Sequence, residues 1–327
     1  MSWKVLITAT PMERVGGAAL ARLTAAGCEI VSAPRNAVAG NELIGLLAGV
    51  DAVIAGAGDH YTAAVLAAPT SSRLKIISRW GVGYDAIDVA AATARGIAVA
   101  YTPGMTDNAV ADYTMALLLA LARRIPPGHQ SMREGWWLPE WGQDLAGQTL
   151  GILGFGRIGR AVARRAQGFD LRLLAHDPKP NQEDVPTGVQ FVTFDELLSR
   201  SDFLTLHAAA PPRNRGLLGR EQFRRMKPTA CLINAARGAL VDESALLEAL
   251  REGWIAGAAL DVFDTEPLPP HDPLRTAPNV LLSPHQASAT IGTGERVSLA
   301  AAQAILDLRD GRRPEQVVNP EVFAGRP

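Results

Sequence analysis

The sequence predicts an α/β protein made of two Rossmann-like, doubly wound parallel-sheet domains with an active-site cleft between them. Three observations carry that expectation. Short apolar runs alternate with Ala- and Leu-rich helical stretches almost from end to end, the pattern of parallel strands covered by helices on both faces. At 327 residues the chain exceeds one small core and fits two domains of roughly 100 to 200 residues each. A glycine-rich turn of the kind that opens a dinucleotide domain begins only at Gly154, so the α/β pattern before it must belong to another domain.

In chain order, KVLITA (4–9), DAVIAG (51–56), LKIISR (74–79) and IAVAY (97–101) read as strands of the first domain. The stretches GGAALARLTAAG and ELIGLLAG read as helices between them. The Pro- and Gly-bearing YTPGMTDN, 101–108, marks the crossing to the second domain, and one long helix is expected from about Asn108 to Gln130. Strands TLGILG (149–154), LRLLAHD (171–177), DFLTLHA (202–208), ACLINAA (230–236), IAGAALDVF (255–263) and NVLLSP (279–284) follow, with ESALLEALREG as a helix among them. A last helix, about Thr293 to Arg309, is too small to stand alone and is expected to return to the first domain. The boundaries are therefore 1–101 plus 290–327 for a discontinuous first domain and 102–289 for the second.

Composition narrows the function. The chain is 47% hydrophobic and 20% charged, with 32 Lys and Arg against 33 Asp and Glu, a net charge of -1 and a pI near 6.6. No basic excess exists to neutralise a phosphate backbone, so nucleic acid is not an expected partner. The most membrane-like run, ALLLALA at 116–122, meets Arg123 and Arg124 at once and falls short of the roughly 20 apolar residues a span requires. The N-terminus enters a strand pattern without a secretory leader, and Cys28 and Cys231 sit beside apolar runs with no metal-like or redox-like spacing. Both read as reduced core residues, and a cytoplasmic protein is expected.

The Gly154-Phe155-Gly156-Arg157-Ile158-Gly159 turn has its full context: a strand before it, an Ala- and Arg-rich helix after it, then a strand ending in Asp177. Gly154 permits the tight turn, Gly156 lets the backbone approach a pyrophosphate, and Gly159 allows close helix–strand packing. The helix N-terminus offers N–H groups and a positive dipole end to the phosphates. Asp177 stands roughly 20 residues after the first glycine, where a carboxylate meets the adenine ribose hydroxyls and repels a 2′-phosphate. NAD is the expected cofactor, with Lys179 as a possible counterweight towards NADP.

Three chargeable residues follow later strands: Arg237 in INAARG, Glu266 in ALDVFDTEP and His285 in LLSPHQAS. Separately they read as a strand-end arginine, a turn glutamate before Pro267 and a capping histidine. Together, behind a dinucleotide turn, they place a guanidinium, a carboxylate and an imidazole at one sheet edge, where ligands of open α/β sheets bind.

At this point the chain resembles the D-2-hydroxyacid dehydrogenases, a family that includes D-phosphoglycerate dehydrogenases and glyoxylate/hydroxypyruvate reductases. The resemblance covers nearly the whole sequence through RWGVGYDAIDVAAATARGIAVAYTPG, NAVADYTMALLLALARRI, LGILGFGRIG, INAARGALVDESALLEAL, AALDVFDTEP and SPHQAS, in the family's order. It implies a flavodoxin-like, substrate-binding first domain and hydride transfer between nicotinamide and C2 of a small D-2-hydroxy or 2-oxo acid, without a metal. In that chemistry His285 exchanges the proton of the C2 oxygen. Glu266 hydrogen-bonds the imidazole and favours its charged form. Arg237 holds the substrate carboxylate and polarises its carbonyl.

The resemblance also makes Val82 and Gly83 backbone donors to the substrate carboxylate, and it adds His207, Ala208, Ala235, Asp261 and His285 to the cofactor contacts of Gly154, Phe155, Gly156, Arg157, Ile158 and Asp177. Asp261 has a second reading, as a cap on the turn that follows it. Arg79 is either a handle for a second anionic group or an exposed strand-end residue. The tryptophans of REGWWLPEWGQ form a dimer contact, a substrate wall or local core, with the dimer ranked first because the family is usually dimeric through this region.

Two departures stand out. HAAAPP lacks the hydroxyl of the family's His-x-Pro-x-Thr, and Asp112 replaces a frequent glutamate. The favoured reaction is glyoxylate or hydroxypyruvate reduction. The alternatives are a D-3-phosphoglycerate dehydrogenase without its C-terminal regulatory domain and, from another class, an NAD(H)-sensing corepressor-like protein. Formate dehydrogenases share the fold but carry glutamine where Glu266 stands, which disfavours them; phosphite dehydrogenase is closer but still ranks below the favoured reading.

Overall fold

The computed structural model describes residues 2–34, 39–180 and 183–324. The chain divides into two compact units, Met1–Thr106 with Ala289–Pro327, and Asp107–Ser288. The crossings fall at 106/107 and 288/289 rather than at 101/102 and 289/290. The first is later because the YTPGMT turn stays with the first sheet and the chain leaves only where a new helix starts at Asp107.

The first unit holds β1 (Lys4–Ile7), β2 (Glu29–Ser32), β3 (Ala52–Ala55), β4 (Ile76–Arg79) and β5 (Ala98–Ala100), all parallel, in the order β2-β1-β3-β4-β5. Alternate strand residues feed opposite faces, as a period of two requires. Val5, Ile7, Ile54 and Ile76 pack on one side with Ala301, Ala302 and Ile305, and Leu6, Val53, Ile77 and Val99 fill the other. The last helix, Ile291–Arg309, thus returns to cover this sheet, and the Ser78 hydroxyl donates to Ala301 O at 2.9 Å.

The second unit holds β6 (Thr149–Leu153), β7 (Arg172–His176), β8 (Val189–Phe191), β9 (Phe203–Leu206), β10 (Cys231–Asn234), β11 (Gly257–Leu260) and β12 (Val280–Leu282). Their order is β12-β11-β10-β9-β6-β7-β8, again all parallel. From β6 outward this is the doubly wound order, reversing between β6 and β9. Leu150, Ile152, Phe203 and Ile233 pack on one face and Leu153, Leu204, Leu206 and Leu232 on the other, so the central strands are apolar throughout.

The α/β expectation is borne out, with two differences in the elements. β2 and β8 escape the sequence pattern because they are short edge strands with half-exposed residues and little apolar signal. The single helix expected from Asn108 to Gln130 is two, Asp107–Ala122 and Ile125–Arg133. Pro126 has no N–H to give Ala122 O, and Gln143 N takes that carbonyl instead at 2.7 Å. Between the helices Arg124 turns left-handed, φ 53°.

Candidate active site

Register sets up the site. Leu153 pairs with Leu206, Leu206 with Asn234, Asn234 with Leu260 and Leu260 with Leu282, so five strands end in one row. Gly154, His207, Ala235, Asp261 and Ser283 therefore leave the seven-stranded sheet along one C-terminal edge.

At the β6–β9 reversal only glycine fits at 154. Its φ is 91°, and a Cβ there would lie 2.5 Å from Ala208 N and 2.6 Å from His207 C. A Cβ at Gly159 would meet Gly154 O at 2.3 Å, which is the close helix packing the third glycine permits. Gly156 differs: it heads the Arg157–Ala166 helix without a side-chain cap, and nothing lies within 4 Å of a Cβ built on it. Uncapped N–H groups beside open space suit a pyrophosphate.

Asp177 faces this turn with its carboxylate held by Phe155 N at 2.9 Å and Lys179 N at 2.8 Å. Two backbone donors orient the acid and leave further lone pairs for ribose hydroxyls. The residues present thus fit a dinucleotide. Arg157 is exposed and Ile158 half-buried beside the turn, whereas Phe155 turns inward and stacks edge-on against Phe191, centroids 5.2 Å apart. Its side chain lies in the core and its N–H is on Asp177.

His207 is shifted by desolvation alone, which pushes its imidazole down to about 3. Its Nε2 lies 3.0 Å from Thr205 Oγ1, while the buried Nδ1 has no partner among the described residues.

The three chargeable residues come together. His285 Nδ1 and Glu266 Oε2 are 2.6 Å apart, and Phe263 N donates to Glu266 Oε1 at 3.0 Å. Burial pushes the Glu266 carboxyl up, but the imidazole bond and charge, the Phe263 N–H and the Arg237 charge outweigh it and leave the group below its usual range. The imidazole stays accessible, and its Nε2 bonds no described residue.

Arg237 stands on a turn that Asn234 builds. Asn234, 1% exposed, donates from Nδ2 to Arg237 O at 2.9 Å and accepts from Ala236 N at 3.1 Å. Arg237 Nη1 donates to Ala236 O at 2.7 Å, and half-buried Ala235 lies in the same turn. Gly238 then lets this turn press on the next one, because a Cβ there would overlap Phe263 C at 1.9 Å. That contact brings the guanidinium within electrostatic reach of Glu266.

Asp261 holds a turn from the neighbouring strand end, not the turn that follows it in sequence. It is fully buried, and its oxygens accept from Ser283 Oγ at 2.6 Å, Gln286 N at 2.9 Å and Ala287 N at 2.8 Å. Those bonds, with His285 N donating to Asp261 O at 2.8 Å, hold His285 at a φ of 48°. A non-glycine residue in that region is strained, and such strain persists only where the surroundings over-determine it. Asp261 anchors the histidine turn. Asn234 and Ser283 were not singled out by sequence reasoning; their only signal is a polar residue closing an apolar strand.

In the first unit, the half-buried Val82 and Gly83 follow β4. Arg79 points into its own turn, its Nε donating to Gly83 O at 2.7 Å and its Nη1 to Ala55 O at 3.2 Å. Arg79 is half-buried, not an exposed strand-end residue.

Comparison with known proteins agrees with this geometry. Residues 115–287 match the NAD-binding domain of the D-isomer specific 2-hydroxyacid dehydrogenases. The chain belongs to that family. A glyoxylate reductase of Korarchaeum cryptofilum is 45% identical over 284 residues, 85% of each chain. A protein structure from Thermus thermophilus superposes with a TM-score of 0.89 at 42% identity, covering 96% of this chain and 99% of the other. An NADPH-dependent glyoxylate/hydroxypyruvate reductase from Sinorhizobium meliloti, solved with NADP and malonate, gives 0.84 at 30% identity over 97% of each. This dehydrogenase is thus an NAD-linked oxidoreductase acting at C2 of 2-hydroxy and 2-oxo acids. No helix among its described residues is long and apolar enough to cross a membrane.

Proposed function

We propose that this dehydrogenase reduces glyoxylate, and hydroxypyruvate beside it, through Arg237, Glu266 and His285. The carrying observation is the 2.6 Å His285–Glu266 pair at the sheet edge that also bears the dinucleotide turn. NADH, when bound, supplies the hydride for C2. Arg237 binds the carboxylate and draws electron density from the carbonyl. His285 gives a proton from Nε2 to the oxygen as charge develops there, while Glu266 fixes the tautomer and steadies the imidazolium. The second unit, with Gly154, Gly156, Arg157, Ile158, Asp177 and the backbone at His207, Ala208 and Ala235, is assigned to NAD; the first, through the Val82 and Gly83 N–H groups, to the substrate carboxylate. The glyoxylate reductases among its relatives support the substrate.

A homodimer is part of this reading. Trp136, Trp137 and Trp141 are 61, 82 and 93% exposed, which rules out the local-core reading and leaves apolar surface to cover, and Ile125, Met132 and Leu138 are exposed as well. Sedimentation of Trp137→Ser and Trp141→Ser should show a smaller species than the wild type. Two buried free cysteines suit a reducing, cytoplasmic setting.

The test of the reaction is NADH oxidation with glyoxylate, hydroxypyruvate, its 3-phosphate and pyruvate, with NADPH alongside. Turnover of the first two is expected, with NADH preferred. Silence on all four acids while NADH still binds would sink the assignment.

A further inference from the structure

The geometry points to Arg79 as the positioning residue that turns Gly81-Val82-Gly83 into a carboxylate receptor, rather than as a charge that binds substrate itself. This rests on the reading that the turn takes the substrate carboxylate.

A carboxylate needs convergent N–H donors with no carbonyl oxygen pointing the same way. Short turns rarely provide that, because each residue carries one group of each kind. Here the carbonyls of Arg79, Trp80, Gly81 and Gly83 are each taken by an internal donor. Arg79 O accepts from Gly81 N at 3.0 Å, and Gly81 O accepts from Thr102 N at 3.0 Å. Trp80 O and Gly83 O accept from the Arg79 guanidinium, through Nη1 and Nε, the second at 2.7 Å. The same Nη1 donates to Ala55 O at the end of β3, 3.2 Å away. Gly81 N is also used internally, donating to the Oγ1 of buried Thr102 at 3.1 Å. The N–H groups of Val82 and Gly83 donate to no described residue.

The guanidinium lies directly beneath the turn. Gly81 has a φ of 128°, and a Cβ built on it would stand 3.5 Å from Nη1 and 3.6 Å from Nη2. A planar fork can hold carbonyls on both sides of a turn at once, whereas a lysine ammonium has one flexible centre. Arg79 therefore sets the orientation of the turn and adds positive potential under it, with its Nε and Nη1 donors already directed at backbone oxygens. It follows that Arg79 does not select phosphorylated acids over plain ones, so the turn suits any small 2-oxo acid through its carboxylate alone.

The experiment is steady-state kinetics of Arg79→Ala and Arg79→Lys with glyoxylate and with 3-phosphohydroxypyruvate, NADH titration by fluorescence, and amide hydrogen exchange across residues 79–87. For Arg79→Ala we expect KM to rise roughly tenfold to a hundredfold for both acids. The kcat should stay within about threefold, with NADH affinity unchanged and exchange faster at Trp80 and Gly81. Arg79→Lys, which keeps the charge, should fall between and also guards against a variant that fails to fold. A loss confined to the phosphorylated acid would overturn the proposal in favour of an anion handle. Unchanged KM and unchanged exchange would overturn it outright. If the wild type reduced none of the acids, the reductase reading would fail, and the exchange data would still decide whether Arg79 shapes the turn.

Discussion

The two sheets share one architecture, yet their strand-order reversals have opposite fates. Between β6 and β9 the chain places Gly154 and Gly156, and the space beside Gly156 is open. Between β1 and β3 the equivalent position is plugged. The Thr8 hydroxyl bonds Asp59 and lies 3.2 Å from Ile54 O, and Asp59 Oδ2 accepts from Gly56 N at 2.7 Å. Thr8 and Asp59 are 6% and 2% exposed, and Tyr61 is fully buried beside them. A reversal creates a crevice, but the residues at its lip decide whether a ligand or a side chain fills it. The first unit's receptor-like turn lies instead after β4, where Arg79 organises it.

The largest test of this contrast is at the open edge. His285→Ala should lower kcat by about 10² to 10⁴-fold, the usual worth of a positioned acid–base group, with NADH binding retained. Equal loss of NADH binding would mean that the histidine turn supports the cofactor site rather than the chemistry. Next, the two glycines should separate. Gly156→Val has room in the fold and should weaken NADH by on the order of 10-fold or more at nearly unchanged stability, because it blocks backbone approach to the pyrophosphate. Gly154→Ala should instead destabilise the protein by about 1–3 kcal/mol, since its backbone is left-handed and its neighbours are in the way.

At the plugged reversal, Thr8→Val should cost roughly 1–3 kcal/mol in urea unfolding by removing one of two donors to the buried Asp59 carboxylate, and leave the NADH dissociation constant alone. A weakened cofactor would show that the plug belongs to the active machinery.

The smallest effect per step is in pH. His207 is held down to about 3 against an ordinary 6.5. As pH falls through that window the unfolded chain takes up a proton that the folded one refuses, so stability declines by up to ~1.4 kcal/mol per pH unit. His207→Asn should flatten this limb. Glu266, also lowered, contributes stability above its ordinary carboxylate range and loses it only as pH drops through its depressed value, so its signature lies at the acid end. A His207→Asn profile that matches the wild type would place that imidazole in water.

Much of this was legible in the residues. The apolar runs of β6, β9 and β10 announce themselves because both faces of these strands are covered, while β2 and β8 do not because edges need little apolar surface. Pro126 and Pro127 carried a signal for the broken helix that the long apolar pattern of 107–122 masked. Arg237, Glu266 and His285 were visible as chargeable groups behind strands. Asp261 and Arg79 were visible too, each with a ligand reading and a structural one, but the turns they hold were not legible.

That last difference separates the two levels of information. The sequence by itself determined the fold class, the dinucleotide turn and which side chains reach the strand ends, because periodicity, glycine sterics and residue chemistry act locally. Only the tertiary structure decided that Glu266 meets His285, that Asp261 is consumed by three neighbours and that Arg79 bonds carbonyls from three places. A side chain's hydrogen-bond partners depend on strand register and on backbone direction in turns, and a donor satisfied by a distant carbonyl leaves no trace in the spacing of residues along the chain.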